Sequence, residues 1–98
     1  MITINITNNK PDNELICPTE MIGLPYGTVF QQYHDGKPTK DYYISCGHGE
    51  KSIIHIWVDE NDMFRLSTDN AKSLGEFYKN VKVKEIDAIV ELNLTIGK

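Results

Sequence analysis

The chain has 98 residues, of which 40% are hydrophobic and 24% charged. That balance excludes disorder and bounds the chain to one domain, residues 1–98, with one modest core. A formal net charge of -4 excludes the basic field that non-specific nucleic-acid binding needs, and it suits a partner with a basic surface.

The first element reads cleanly. Ile2, Ile4 and Ile6 alternate with Thr3, Asn5 and Thr7, which predicts a half-buried strand. The start at Met1 has neither the basic residues nor the continuous apolar run of a secretory signal, and no stretch approaches the roughly 18 apolar residues of a membrane span. A cytoplasmic setting is therefore expected, with Cys17 and Cys46 as thiols. Residues 8–14 are polar, contain Pro11 and read as a loop. Leu15-Ile16-Cys17 is a short apolar stop closed by Pro18. The punctuated run from Met21 to Gly27 is expected to be a turn that feeds the next strand.

Thr28 to Tyr33 predicts a strand, broken by His34-Asp35-Gly36-Lys37-Pro38, in which Asp-Gly is a hairpin signal. Asp41 to Cys46 is the return strand and Gly47-His48-Gly49 the next turn. Ser52 to Val58 is apolar on both faces, as in a strand covered on two sides. His55 and Trp57 share one of those faces. Asp59-Glu60-Asn61-Asp62 is an acidic turn, and Met63 to Ser67 returns from it. Thr68 to Asn80 is the helix candidate, capped by Thr68 or Asp69, with Ala71, Leu74, Phe77 and Tyr78 at helical spacing and Gly75 against it. Val81 to Ile86 and Ala88 to Ile96 predict two further strands. Short strands separated by Gly-rich turns imply a mainly β fold, a small antiparallel barrel or roll with one short helix near residues 69–80. The terminal strands are expected to pair, which would cover two edges.

Candidate chemistry is sparse. Cys46, His48 and His55, with Cys17 and His34, offer zinc-ligating atoms, but no Cys-x-x-Cys pair supports a metal site and none is assigned. Cys46 with a histidine and Asp41 or Asp35 makes a nucleophile triple on paper, although a triad is defined by geometry and not by presence. The glycines before Lys51-Ser52 lack the spacing and the following helix of a phosphate loop. The acidic turn lacks the spacing of a calcium loop. No cofactor is implied, and the chain is expected to act without catalysis.

Binding is the remaining class. Tyr and Trp dominate interface hot spots, so exposed members of Tyr26, Tyr33, Tyr43 and Trp57 are candidate anchors, although aromatics also fill small cores. Asp59, Glu60 and Asp62 are a candidate negative patch for a basic partner. The alternative is a small barrel that sequesters a nucleotide or nucleic acid, with Lys37, Lys40 and Lys51 at turns where they would meet phosphate. Self-association is compatible with either.

The runs Leu24-Pro25-Tyr26-Gly27-Thr28-Val29-Phe30, Asp41-Tyr42-Tyr43-Ile44 and Tyr78-Lys79-Asn80-Val81-Lys82-Val83 resemble a pattern in small β-rich accessory proteins encoded by phages. Some small acidic phage proteins block host defence by occupying a protein surface or sequestering a signal nucleotide. The resemblance thus implies a phage or mobile-element origin and an inhibitor of a host enzyme or defence complex. It assigns no site residue.

Overall fold

Six strands account for the alternating stretches: β1 (Ile2–Asn8), β2 (Val29–His34), β3 (Lys37–Ser45), β4 (Ile53–Val58), β5 (Phe64–Asp69) and β6 (Val81–Leu92). The computed structural model describes residues 2–8, 10, 14–22, 24–46, 53–77 and 80–92. Met1, the loop around Pro11, the Gly47-His48-Gly49 turn with Lys51, Tyr78, and residues 93–98 lie outside them. The strands form one antiparallel sheet in the order β1-β6-β2-β3-β4-β5, curled into a half-barrel. The terminal strands do pair, Ile2 with Leu92 through Ile6 with Ala88. The edges β1 and β5 share no ladder among the described residues, so the curl stops short of a closed barrel.

Local chemistry sets the turns. Asp35 and Gly36 both have positive φ, 51° and 80°, the geometry of a type I′ turn whose twist matches that of the flanking strands. The return strand consequently begins at Lys37 and not at Asp41, and it takes in Pro38 beside a register irregularity in β2. A proline is tolerated there because the ladder is already interrupted. The β4–β5 turn is tied by Asp59, whose backbone N–H donates to the Met63 carbonyl at 2.9 Å.

Two elements correct the sequence reading. Pro18–Met21 is a 3-10 helix, so the turn run expected from Met21 to Gly27 begins only after Met21. Pro18 suits its first position, where no N–H is required, and the Glu20 carboxylate accepts the Cys17 N–H at 2.7 Å. The helix α1 (Ala71–Phe77) starts later than Thr68, because both Thr68 and Asp69 belong to β5. Its cap is Asn70, whose Oδ1 accepts the N–H groups of Lys72 at 2.9 Å and Ser73 at 3.2 Å. That satisfies donors that a helix start leaves open.

The sheet has apolar groups on both faces, so two clusters replace the single core expected from the composition. On the inner face Val29, Tyr42, Ile56 and Ile86 are buried, with Ile2, Ile4, Ile44, Ile54, Phe64, Ala88 and Val90 packed on them. Ile2 and Phe64 come from opposite edges, which is why this face is the inside of the curl. On the outer face Phe30, Tyr43, Ile53 and Val83 pack under Met21, Ala71 and Leu74 from the two short helices. Fully burying an aliphatic or aromatic side chain of this size contributes about 1.5–3 kcal/mol, so each cluster is needed in so short a chain.

β6 serves both clusters. Val83 is buried on the outer face, whereas Ile86, Ala88 and Val90 face inward. The apolar phase therefore shifts by one residue within a continuous strand. Two strands were expected from this stretch because such a shift looks like a break when only the pattern is read.

Candidate functional site

The outer face is covered incompletely. Beside α1 lies a cavity of about 250 Å³ lined by Gln32, Asp41, Tyr43, His55, Asp69, Leu74 and Val81. The sheet register explains the gathering. Tyr43 stands opposite His55 on β3 and β4, and side chains two apart in a strand share a face, which brings Asp41 and Trp57 to the same side. Asp69 comes from β5, where it pairs with Ile53. Leu74 reaches in from α1 and Val81 from β6.

The polar groups are already organised. His55 Nε2 lies 2.9 Å from Asp41 Oδ1, with the two side chains 20% and 29% exposed. An ionised carboxylate only accepts, so the imidazole Nε2–H is the donor in this pair. The His55 ring stacks on Tyr43 with centroids 4.7 Å apart and planes at 25°. The Trp57 ring lies 5.2 Å from that of His55, tilted by 40°. The Tyr43 hydroxyl donates to Gln32 Oε1. Thr39 Oγ1 accepts the Asp41 N–H at 3.2 Å, which fixes the base of that carboxylate. Asp69 Oδ1 accepts the Asn70 N–H at 2.8 Å.

The sequence-level triple is partly met. Asp41 and His55 do come together, but Cys46 does not line their cavity, and it follows Ser45 at the end of β3 away from Asp41. His48 lies outside the described residues. Among the described residues no group of three His, Cys, Asp or Glu side chains is placed to hold a metal ion. Cys17 is exposed and receives a hydrogen bond from Lys82 Nζ at 3.0 Å.

The proposed aromatic anchors do not form one surface. Tyr43 is 1% exposed. Both faces of β3 are covered, so Tyr42 and Tyr43 are each buried, and burial of Tyr42 raises its phenol above the ordinary value. Tyr26 is 69% exposed in the turn before β2. Tyr33 lies near the other end of that strand, with Lys84 Nζ 5.5 Å from its ring centroid. Trp57 is half-buried and adjoins the acidic turn.

Within that turn the carboxylates differ. Asp59 is a structural residue: its Oδ1 accepts the N–H groups of Asn61 at 2.9 Å and Met63 at 3.1 Å, and Oδ2 accepts Arg65 Nε at 2.6 Å. The Arg65 hydrogen bond, with those from the Met63 and Asn61 backbone, holds the Asp59 carboxyl below its ordinary value. Glu60 is exposed, and Asp62 is exposed beside Lys40 at 3.6 Å.

A second feature was not foreseen. Where the curl stops, Ile2, Trp57, Met63, Phe64, Arg65 and Leu66 line an open groove of about 420 Å³. A smaller hollow shares Ile2, Met63 and Phe64 with Asp62. Met63 is 51% and Leu66 40% exposed. Phe64 and Leu66 alternate with Arg65 and Ser67, a pattern that predicts burial, and Leu66 is exposed because β5 lies at the sheet edge. No helix among the described residues is long and apolar enough to cross a membrane. Comparison with protein families, with curated proteins and with solved structures returns no match to this chain.

Proposed function

We propose that the chain is a stoichiometric binding protein whose contact surface is the β4–β5 hairpin beside the open groove. The observation that carries this reading is the groove itself. It combines exposed Met63 and Leu66 with the edge strand β5, which pairs with β4 alone among the described residues. An edge strand offers unpaired backbone groups to an incoming extended segment, and apolar pockets beside it select the side chains. Trp57 forms part of the wall, and exposed Glu60 and Asp62 at the end of the hairpin favour a basic residue on the partner. The likeness to phage accessory proteins gives the partner class, a host enzyme or defence complex inhibited by occupation of its surface.

The nucleotide reading has less support. Lys40 is engaged with Asp62, Lys51 lies outside the described residues, and the cavity on the outer face is lined by carboxylates.

Leu66→Asp combined with Met63→Asp tests the proposal. Tagged wild-type protein is expected to retain one host protein in a near-equimolar ratio. The double variant, folded by circular dichroism, is expected to bind roughly thirtyfold more weakly or worse, as hot-spot losses of about 2 kcal/mol or more imply. Ile89→Asp, at an exposed apolar position on β6, is expected to behave as wild type. Equal retention by the double variant overturns the proposal.

A further inference from the structure

An edge strand can be completed by a second copy of the same strand. We propose that two copies of this chain associate through β5, antiparallel about a two-fold axis at Ser67, with Arg65 of each copy opposite Asp69 of the other. The inference rests on the reading of β5 as a contact edge, and it gives that edge an occupant besides a host protein.

The ladder decides which backbone groups face outward. The Asp59 N–H donates to the Met63 carbonyl inside the hairpin, and the same register runs on from Val58–Phe64 to Ile53–Asp69. Hydrogen-bonded and non-hydrogen-bonded pairs alternate along an antiparallel ladder. Arg65, Ser67 and Asp69 therefore turn their backbone groups to β4, and Phe64, Leu66 and Thr68 turn theirs to the edge. Ile2 of β1 approaches the Phe64 end, where the two line a common hollow. Beyond it Leu66 and Thr68 are exposed.

Self-complementarity selects the register. A two-fold contact presents the same patch from both copies. Centred on Leu66, the contact sets Arg65 against Ser67 and must include Phe64, at the end that Ile2 approaches. Centred on Ser67, it lets Leu66 and Thr68 exchange backbone hydrogen bonds, and it sets Arg65 against Asp69 on both sides of the axis. Arg65 and Asp69 are the two charged residues of β5. They have opposite signs and share a face, and opposite charges directly across a ladder attract. Both retain bonding capacity. Arg65 Nε is engaged by Asp59, but the side chain is 60% exposed and a guanidinium has further donors. Asp69 Oδ1 accepts the Asn70 N–H, which leaves Oδ2 as an acceptor. The other edge, β1, has no charged residue from Ile2 to Asn8 and offers no comparable selection.

Size sets the strength. Residues 65–69 of each copy make a small contact beside the roughly 20–30 residues a side of a stable complex. The dimer is therefore weak, and it yields the edge to a tighter partner.

Sedimentation of the purified full-length protein from micromolar to millimolar concentration tests this, with no host protein present. A monomer–dimer equilibrium is expected. NMR shifts that move on dilution are expected at Leu66 and Thr68, a readout that needs no variant. Arg65→Asp and Asp69→Arg each place like charges opposite one another, and each, folded by circular dichroism, is expected to self-associate roughly tenfold more weakly or worse. Mixing the two variants makes both cross-strand pairs attractive, so the mixture is expected to form a heterodimer with an affinity near that of the wild type. Both variants remain acidic overall, given the net charge of -4, so that recovery reports a local pairing. Asn5→Lys, at an exposed position on β1, is expected to leave the dimer unchanged.

The inference is overturned by a wild type that stays monomeric throughout, by dilution shifts remote from β5, by a mixture that associates no better than its components, or by equal weakening in Asn5→Lys. Failure here with a host protein still retained removes the dimer alone. Loss of capture with the heterodimer intact removes the host-partner reading alone.

Discussion

The two faces of the sheet are made by the same strands and carry different burdens. The inner face is almost wholly hydrocarbon, and Ile2, Ile4, Ile44, Ile54, Ile56, Ile86 and Val90 fill the curl. The outer face buries comparable aromatics but admits polar groups among them: buried Ser45, the Tyr43–Gln32 hydrogen bond and the Asp41–His55 pair. A strand-on-strand interior leaves no room for a half-solvated carboxylate. A layer made of one four-residue 3-10 helix and one seven-residue α-helix is too short to cover the sheet, and the gap it leaves is where polar chemistry collects. The inner face maintains the fold up to the open edge where Ile2 and Phe64 line the groove, and the outer face admits polar groups among its aromatics.

That contrast can be broken at the inner face most forcefully. Ile56 is fully buried at its centre, so Ile56→Ala is expected to cost about 2–5 kcal/mol in urea unfolding. A midpoint close to wild type would mean that the curl is held by something other than this cluster. A smaller effect is expected from Ser45→Ala on the outer face. Its Oγ donates to the Met21 carbonyl at 3.2 Å, with the Leu24 carbonyl at 3.4 Å as an alternative acceptor. The loss is expected to be about 1 kcal/mol and to loosen the segment around residues 18–24, visible as faster amide exchange there with little change in the inner strands.

The smallest effect belongs to neither face. Asp59 has a native pKa below its ordinary value of 3.8, so it stabilises the folded chain above that ordinary value and loses the contribution as pH falls through its native one. Asp59→Asn is expected to lower the urea midpoint slightly at neutral pH. The gap from wild type should close as both are taken below the native pKa. A gap that persists unchanged in acid would show that the carboxylate's charge is irrelevant to the hairpin.

Much of the fold was legible because most of its determinants are local. The alternation of β1, the Asp35-Gly36 turn and the two-sided apolar character of β4 depend on neighbours in sequence. What escaped depends on distant partners. The phase shift in β6 follows from a change in which layer covers the strand, and that layer comes from residues 18–21 and 71–77. Asn70 competes for the cap with Thr68 and Asp69, and the length of β5 decides between them. At the site, the shared face of His55 and Trp57 was readable from period two. The meeting of Asp41 with His55 required the β3–β4 register, and Tyr43 could not be assigned to core or surface without knowing that both faces of β3 are covered. The groove by Met63 and Leu66 arises from where a sheet stops curling, which no residue pattern encodes directly.

The pairing of β1 with the far end of β6 also sets an order of events. Strands β2 to β5 meet their sequence neighbours through short connections, so that meander can form early, while β1 must wait for the latest part of the described chain. Loop-closure entropy makes this the slowest contact to gain. On the ribosome the Ile2-Ile4-Ile6 strip therefore emerges before the other described strands and is sheltered after them. Its vulnerability to misassociation is a matter of timing, and it ends when β6 arrives alongside.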